Sequence, residues 1–446
     1  MKNTLKFVLV ILLFLSTQLI YSQDFKPEVK VGGVVYTGWQ FNIDNADFIP
    51  TVDTSGAGIN GAEAFGFNAK RTIETSKNSF YMERAYINIR ANLSPQITAR
   101  ITPDIYSFKD GDGKTSYAYR LKYANFEYTP LTLESGASLS FSLGVIPNQW
   151  ISNIEKYYGY RGIAKTLTDY SWVTNAYLGS GSTKPDTLKN TAYFKTGSYF
   201  SSADLGMTAK FTFPKKYADL YVSVYNGNGY ANLGFDNRFK DIMVTGFIYP
   251  LAGELAKKTE MMKKAKKSRI TGIADLTVGG FVYMGKLGNG EPAAGKSGNN
   301  QNRFGGMLNF KYNFDKFGSI KVGGEFSLAV NKISNSVNAD SSINARGISA
   351  FMEFNPPVEQ LNDKLFLTAR YDTFNPNTDG SGLGYSFMEN GKQSLLIIGL
   401  MYKPVNMLTL GMTFQQISYG RNYIVNYDGT STSSTKRLVV NAILDF

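Results

Sequence analysis

The sequence predicts an all-β fold, a transmembrane antiparallel β-barrel of about 16 strands with a long third outside loop folded inward. Three observations predict it. Apolar and polar residues alternate with period two in segments of about 10 to 14 residues, separated by Gly, Asn, Asp, Ser and Pro clusters. Aromatic residues make up 14% of the 446 and charged residues only 18%, with Gly at 44 positions. A soluble enzyme carries about 25% charge. Finally, the alternation persists to the last residue, where Leu438, Val440, Ala442, Leu444 and Phe446 share one face and Arg437, Asn441 and Asp445 the other. An amphipathic final strand ending in Phe resembles the C-terminal signal read by the outer-membrane insertion machinery.

The chain has no Cys and no His. Disulfide scaffolds, thiolate metal sites, Ser-His-Asp triads and histidine-ligated zinc are therefore excluded. Residues 1–22 read as a signal peptide, with Lys2 and Lys6 as the basic start, an apolar run from Phe7 to Leu15, and the small Ser22 before Gln23. That run is too short to span a bilayer as a helix, and no later stretch offers about 18 apolar residues. Loss of these two lysines lowers the net charge from +12 to +10 for the barrel domain, 23–446. Its basic residues are scattered, which points away from nucleic acid.

Strands follow in order from Val29. In 81–93, Tyr81, Ala85, Ile87, Ile89, Ala91 and Leu93 form one face, interrupted by Glu83, and Met82, Arg84, Tyr86, Asn88, Arg90 and Asn92 the other. Seventeen candidate segments emerge, an odd number, whereas single-chain bacterial barrels close with an even one. The order alternates only if 190–213 is one long strand, or one strand preceded by a hairpin belonging to the preceding loop. Short turns at 94–96, 214–217 and 315–318 and at Pro404 belong to the periplasmic side. Long loops at 45–77, 109–116, 148–190, 227–236, 286–302, 332–342, 376–390 and 420–433 belong outside.

The third of these loops, 148–190, is the constriction-loop candidate. It holds Trp150, Lys156, Tyr157, Tyr158, Tyr160, Arg161, Lys165, Tyr170 and Trp172. Such an aromatic loop is expected to fold inward and narrow the pore; an aromatic surface facing lipopolysaccharide or a neighbouring subunit is the other reading. Residues 251–269 (LAGELAKKTEMMKKAKKSR) form a basic periplasmic insertion of helix-forming composition. It reads as a solvated helical turn or as a surface for an anionic partner.

Several segments resemble the phosphate-selective porin O/P family. They are YMERAYINIRANLSPQITARITPD (81–104), ANFEYTP (124–130), LSFSLGVIP (139–147), DLGMTAKFTF and SVYNGNG within 204–230, and ARYDTFNPNTDG (369–380). The resemblance implies a homotrimeric 16-stranded outer-membrane porin of a Gram-negative bacterium, in contact with outer-membrane lipid and lipopolysaccharide. One strand departs from the pattern. The family strand reads RVGQFKTPF, with a basic residue on either side of its glycine, whereas the matching stretch here reads GVIPNQW, with Val145 after Gly144, and neither Arg nor Lys occurs between Leu139 and Ile154.

Alternation places Arg84, Arg90, Arg100, Lys210, Arg303, Lys311, Lys321, Arg370 and Arg437 toward the lumen, with Lys156, Tyr158, Arg161 and Lys165 on the constriction loop. A charge on the lipid face near midplane costs about 2–4 kcal/mol, and lumen placement avoids it. Asp104, Glu127, Asp219, Asp275, Glu325, Asp372 and Asp445 fall on the same face. The arginines therefore either form a basic stripe for solutes or pair with acids to brace the wall. Asp110 and Asp112 in KDGDGK, and Asp379 in NPNTDG, have the spacing of the start of a calcium loop, which Asx-rich turns explain equally. No cofactor and no enzymatic activity are expected. The expected function is passive diffusion of small anionic or neutral solutes with weak anion preference; the alternative is a non-conducting barrel within a secretion or adhesion complex.

Overall fold

The computed structural model describes residues 25–43, 46–47, 78–109, 115–170, 172–175, 194–231, 239–264, 271–286, 300–333, 341–376, 378, 392–420, 424–426 and 431–446. The signal segment 1–22 and the calcium candidates Asp110, Asp112 and Asp379 lie outside them.

Sixteen strands close into one antiparallel barrel. They are β1 (Glu28–Asn42), β2 (Asn78–Asn92), β3 (Ile97–Lys109), β4 (Thr115–Thr132), β5 (Ser138–Pro147), β6 (Ala203–Thr212), β7 (Ala218–Tyr225) and β8 (Asp241–Ile248). The second half comprises β9 (Gly272–Lys286), β10 (Asn300–Asn313), β11 (Ser319–Ile333), β12 (Ser341–Asn355), β13 (Leu365–Asn375), β14 (Gln393–Val405), β15 (Leu408–Tyr419) and β16 (Ser434–Asp445). Each pairs with its neighbours in chain order, and β16 closes on β1 in a register from Val34 opposite Asp445 to Asn42 opposite Arg437. The backbone of Phe446 extends this seam by exchanging hydrogen bonds with Gly33 (2.7 and 2.9 Å). Closure leaves the barrel no open edge.

Tight connections such as 93–96, 213–217, 314–318 and 406–407 gather at one end, the periplasmic end of a bacterial barrel. The surplus segment near 190–200 is resolved by a hairpin, since Trp172–Asn175 pairs with Phe194–Gly197 inside the third loop and leaves β6 as a separate strand. A helix, α2 (Ala252–Lys264), occupies the basic insertion between β8 and β9.

The outer face is apolar where the strands alternate. Val278 and Val282 on β9, Leu308 on β10, Phe326 on β11, Ile348 on β12 and Ile398 on β14 are all exposed, although each would be buried in a soluble sandwich. The inner face is filled on one side by the third loop. Its helix α1 (Gln149–Tyr158) begins at Asn148, whose side chain accepts the N–H groups of Trp150 (3.0 Å) and Ile151 (3.2 Å). It stops at Gly159, whose left-handed backbone (φ 79°) returns an N–H to the carbonyl of Glu155 at 2.8 Å. Trp150, Ile151, Ile154 and Tyr158 recur at helical spacing and form its buried side. Trp150 stacks on Phe247 (5.9 Å) and meets Phe281 at 4.6 Å; farther along, Trp172 stacks on Phe374 at 5.1 Å. An apolar core thus sits inside the barrel, which is why the loop is so rich in aromatic residues.

One face assignment needs correction. The register of β1 on β2 shifts between Tyr36, opposite Arg84, and Thr37, opposite Met82, so Glu83 is an extra residue. The bulge reverses the alternation, and Tyr81 joins the lumen side, where its hydroxyl accepts from Asn441 Nδ2 at 2.8 Å.

Candidate permeation pathway

The wall of β2, β3 and β4 carries the highest density of cations. A bulge builds its centre: Thr102 lies opposite Tyr123 but Pro103 opposite Leu121, leaving Lys122 as the added residue. Proline brings no N–H to the ladder and is tolerated at such a site. Lys122 and Tyr123 are consequently both buried, while Leu121 and Phe126 on either side face outward. Lys122 Nζ donates to the Tyr86 hydroxyl at 3.1 Å and lies 4.3 Å from its ring centre.

Toward the outside, Asp104 is fully buried between two arginines. It accepts from Arg84 at 3.0 Å and from Arg120 at 2.7 Å. Both guanidinium groups also donate to the Tyr230 hydroxyl, at 2.8 Å each. Burial pushes the Tyr230 hydroxyl up against the opposing pull of Arg84 and Arg120, so it keeps its proton and donates to Asp104 at 3.3 Å.

Toward the periplasm, Arg90 and Arg100 are direct cross-strand partners. Arg100 lies 4.0 Å over the Tyr123 ring and donates to Asn88 Oδ1 at 2.9 Å and to Thr102 Oγ1 at 3.0 Å. Arg90 and Arg100, with Asn125, Glu127, Lys210 and Tyr221, line a cavity of about 420 Å³. Lys210 is balanced there by Asp219 at 3.7 Å, and Glu127 accepts from Ser142 at 3.2 Å.

The loop supplies the facing side. Arg161 binds Asp169 at 3.0 Å and contacts Glu155. Burial alone raises the Asp169 carboxyl, but Lys165, Arg161, Lys122 and Arg84 outweigh it and hold the group below its ordinary value. Lys165 is half-buried, and Lys156 is exposed on the last turn of α1. The loop also reaches the seam of the barrel. Gly162 O accepts from Asn441 Nδ2 at 3.1 Å, and a Cβ on Gly162 would lie 2.5 Å from Tyr36 and 2.9 Å from Ile443.

The remaining predicted cations sit elsewhere. Arg303 is fully buried against Phe200 and Tyr283, at 5.1 and 5.2 Å. Arg370 is likewise sealed, holding Asp372 at 2.9 and 3.1 Å with its guanidinium 4.7 Å from the ring of buried Tyr158. The inward loop covers both, so neither meets solute in the lumen. Lys321 pairs with Glu353 at 3.2 Å, and Lys311 lies in register with Asp275 on one side and Lys321 on the other. Arg437 donates to Gln415 at 2.7 and 2.9 Å. Among the described residues no cluster of three or more acidic side chains fits a metal ion.

The geometry brings in Arg120, Lys122 and Tyr230, which the face assignment omitted. Tyr117, Tyr119 and Leu121 alternate clearly enough to place Arg120 and Lys122 opposite them, and Pro103 inside a strand is the signal for the bulge. Nothing in the sequence marks Tyr230, whose role depends on a loop reaching over two strands.

No protein-family model matches the chain, and no curated protein does either. Solved structures do. An anion-selective porin from Comamonas acidovorans is 11% identical over 94% of this chain and 100% of its own, with a TM-score of 0.51. The chain has the porin fold. OmpF of Salmonella typhi, in a complex with daunomycin, is 10% identical over 94% of this chain and 97% of its own, with a TM-score of 0.50. At such identities the likeness concerns the closed 16-stranded architecture.

Proposed function

We propose that this chain is an outer-membrane porin of a Gram-negative bacterium, a passive route for small hydrophilic solutes with weak preference for anions. One observation carries the reading: Arg90 and Arg100 stand side by side on the 420 Å³ cavity and neither forms an ion pair among the described residues. Several other lumen cations are paired with a carboxylate: Arg84 and Arg120 share Asp104, and Lys210, Lys321 and Arg370 each have one. A wall balanced in this way supports a mild bias toward anions, because a strict filter requires converging cations without acids. Phosphate selectivity gains no support, since neither Arg nor Lys occurs between Leu139 and Ile154, where the resembled family strand carries basic residues. The chain works without cofactor or catalysis, as a homotrimer surrounded by outer-membrane lipid and lipopolysaccharide.

A second reading, a barrel plugged by its own loop, is favoured by the contact of Gly162 with Asn441, which carries the loop from β5 to the seam between β16 and β1. Recording in planar bilayers with a KCl gradient separates the two. Discrete conductance with a reversal potential on the anion side supports the porin; absence of conductance supports the plug.

A further inference from the structure

We infer that the periplasmic rim around turn 213–217 and α2 is a docking surface for anionic phospholipid headgroups of the adjoining leaflet. The first observation is a backbone outlier. Lys215 and Lys216 both adopt left-handed φ angles, 55° and 57°, a backbone conformation strained for any residue with a Cβ. Glycine would fill such positions without strain, yet the chain places two consecutive lysines there, both exposed. The Lys215 N–H ties the turn to the neighbouring one through Ser135 O at 2.7 Å, so the lysines are presented by a fixed backbone.

The second observation is what flanks them. Phe211 and Phe213 sit on the lipid face of the strand leading into the turn, both exposed and packed edge to face at 4.8 Å. Ile248, exposed on the strand leading toward α2, continues this apolar rim. Aromatic rings followed at once by lysines are the chemistry of a membrane-water interface, where rings rest at headgroup level and ammonium groups meet phosphates.

The third is the helix set against the turn. At the start of α2, a Cβ on Gly253 would lie 2.1 Å from the Tyr217 hydroxyl, so the two surfaces are in close contact. No residue of α2 is buried, and Lys257, Lys263 and Lys264 are exposed; among the described residues, Glu260 with Lys264 at 2.8 Å is the one ion pair on the helix. A helix with so little apolar surface does not insert; it adds positive charge at the surface, where each Lys is attracted to an anionic leaflet. This surface lies outside the pore and is independent of conduction.

The test reconstitutes the full chain in nanodiscs of phosphatidylcholine containing one-fifth phosphatidylglycerol and measures the lipids that remain bound by native mass spectrometry. Enrichment of phosphatidylglycerol over its input fraction is expected. It should fall stepwise in a Lys215→Gln, Lys216→Gln variant and in one that adds Lys257→Gln, Lys258→Gln, Lys263→Gln and Lys264→Gln. These positions are exposed or half-exposed, so the barrel itself stays intact. Enrichment that is absent in the parent chain, or equal in all three proteins, overturns the inference.

Discussion

The carboxylate of Glu325, on the inner wall of β11, accepts the indole N–H of Trp150 at 3.1 Å. Its other oxygen accepts the backbone N–H of Leu167 at 2.8 Å, so one buried side chain holds both the start and the far end of the inward segment. Replacement by Ala leaves two buried donors unsatisfied, each costing about 1–3 kcal/mol. Glu325→Ala is expected to loosen the loop and give larger, noisier single-channel currents; Glu325→Gln, which keeps one acceptor, falls between. Unchanged current noise would show that stacking of Trp150 and Trp172 holds the loop unaided.

Among the described residues Asp104 is the one carboxylate paired with Arg84 and Arg120. Asp104→Asn keeps the shape and an acceptor but removes the charge that two guanidinium groups share. Urea unfolding in lipid should register a loss of about 1–3 kcal/mol, since hydrogen bonds to charged groups are of this size. The same change exposes two cations to the lumen and should raise anion preference. A reversal potential unmoved by the variant would mean that these arginines lie off the solute path.

The barrel was legible because its two solvents differ. Lipid selects apolar residues at every second position, as with Ile348 and Met352 on β12, and the period survives over each strand. The inward loop was legible from Trp150, Tyr158 and Trp172, aromatic residues that a wet loop has no use for. Pairing was not legible, because alternation assigns a face and not a neighbour. It set Arg303, Arg370 and Arg90 on the same inner face, yet the loop buries the first two and leaves the third on the cavity. Single added residues did further damage: Glu83 reverses the face of Tyr81, and Lys122 comes to share the lumen with Tyr123.

Arg90 and Arg100 should set the residual selectivity. At roughly 8 Å in a water-like medium a unit charge contributes about 0.5 kcal/mol, so the pair together changes anion occupancy about fivefold. Arg90→Gln with Arg100→Gln should therefore bring the anion-to-cation permeability ratio close to unity at low salt. The effect should shrink at 1 M KCl, where the screening length falls to about 3 Å. Persistence of the anion preference in the double variant would shift the role to Lys122 and Arg161.

Asp169 gives the loop a predictable response to acid. Its carboxyl is held below the ordinary 3.8 by Lys165, Arg161, Lys122 and Arg84, against the upward push of burial. A group depressed in the folded state adds stability that is present above its unfolded value and is lost as pH falls through its folded one. The loop's own fold, held by the internal Arg161–Asp169 pair, should thus be constant from neutrality to about pH 4 and weaken only below it. Current noise recorded stepwise from pH 7 to pH 3 checks this, with Asp169→Asn as the comparison. The variant should show already at pH 7 the noise that the parent acquires only below about pH 4. A parent protein whose noise rises already between pH 7 and 5 would place the acid-sensitive contact at another carboxylate.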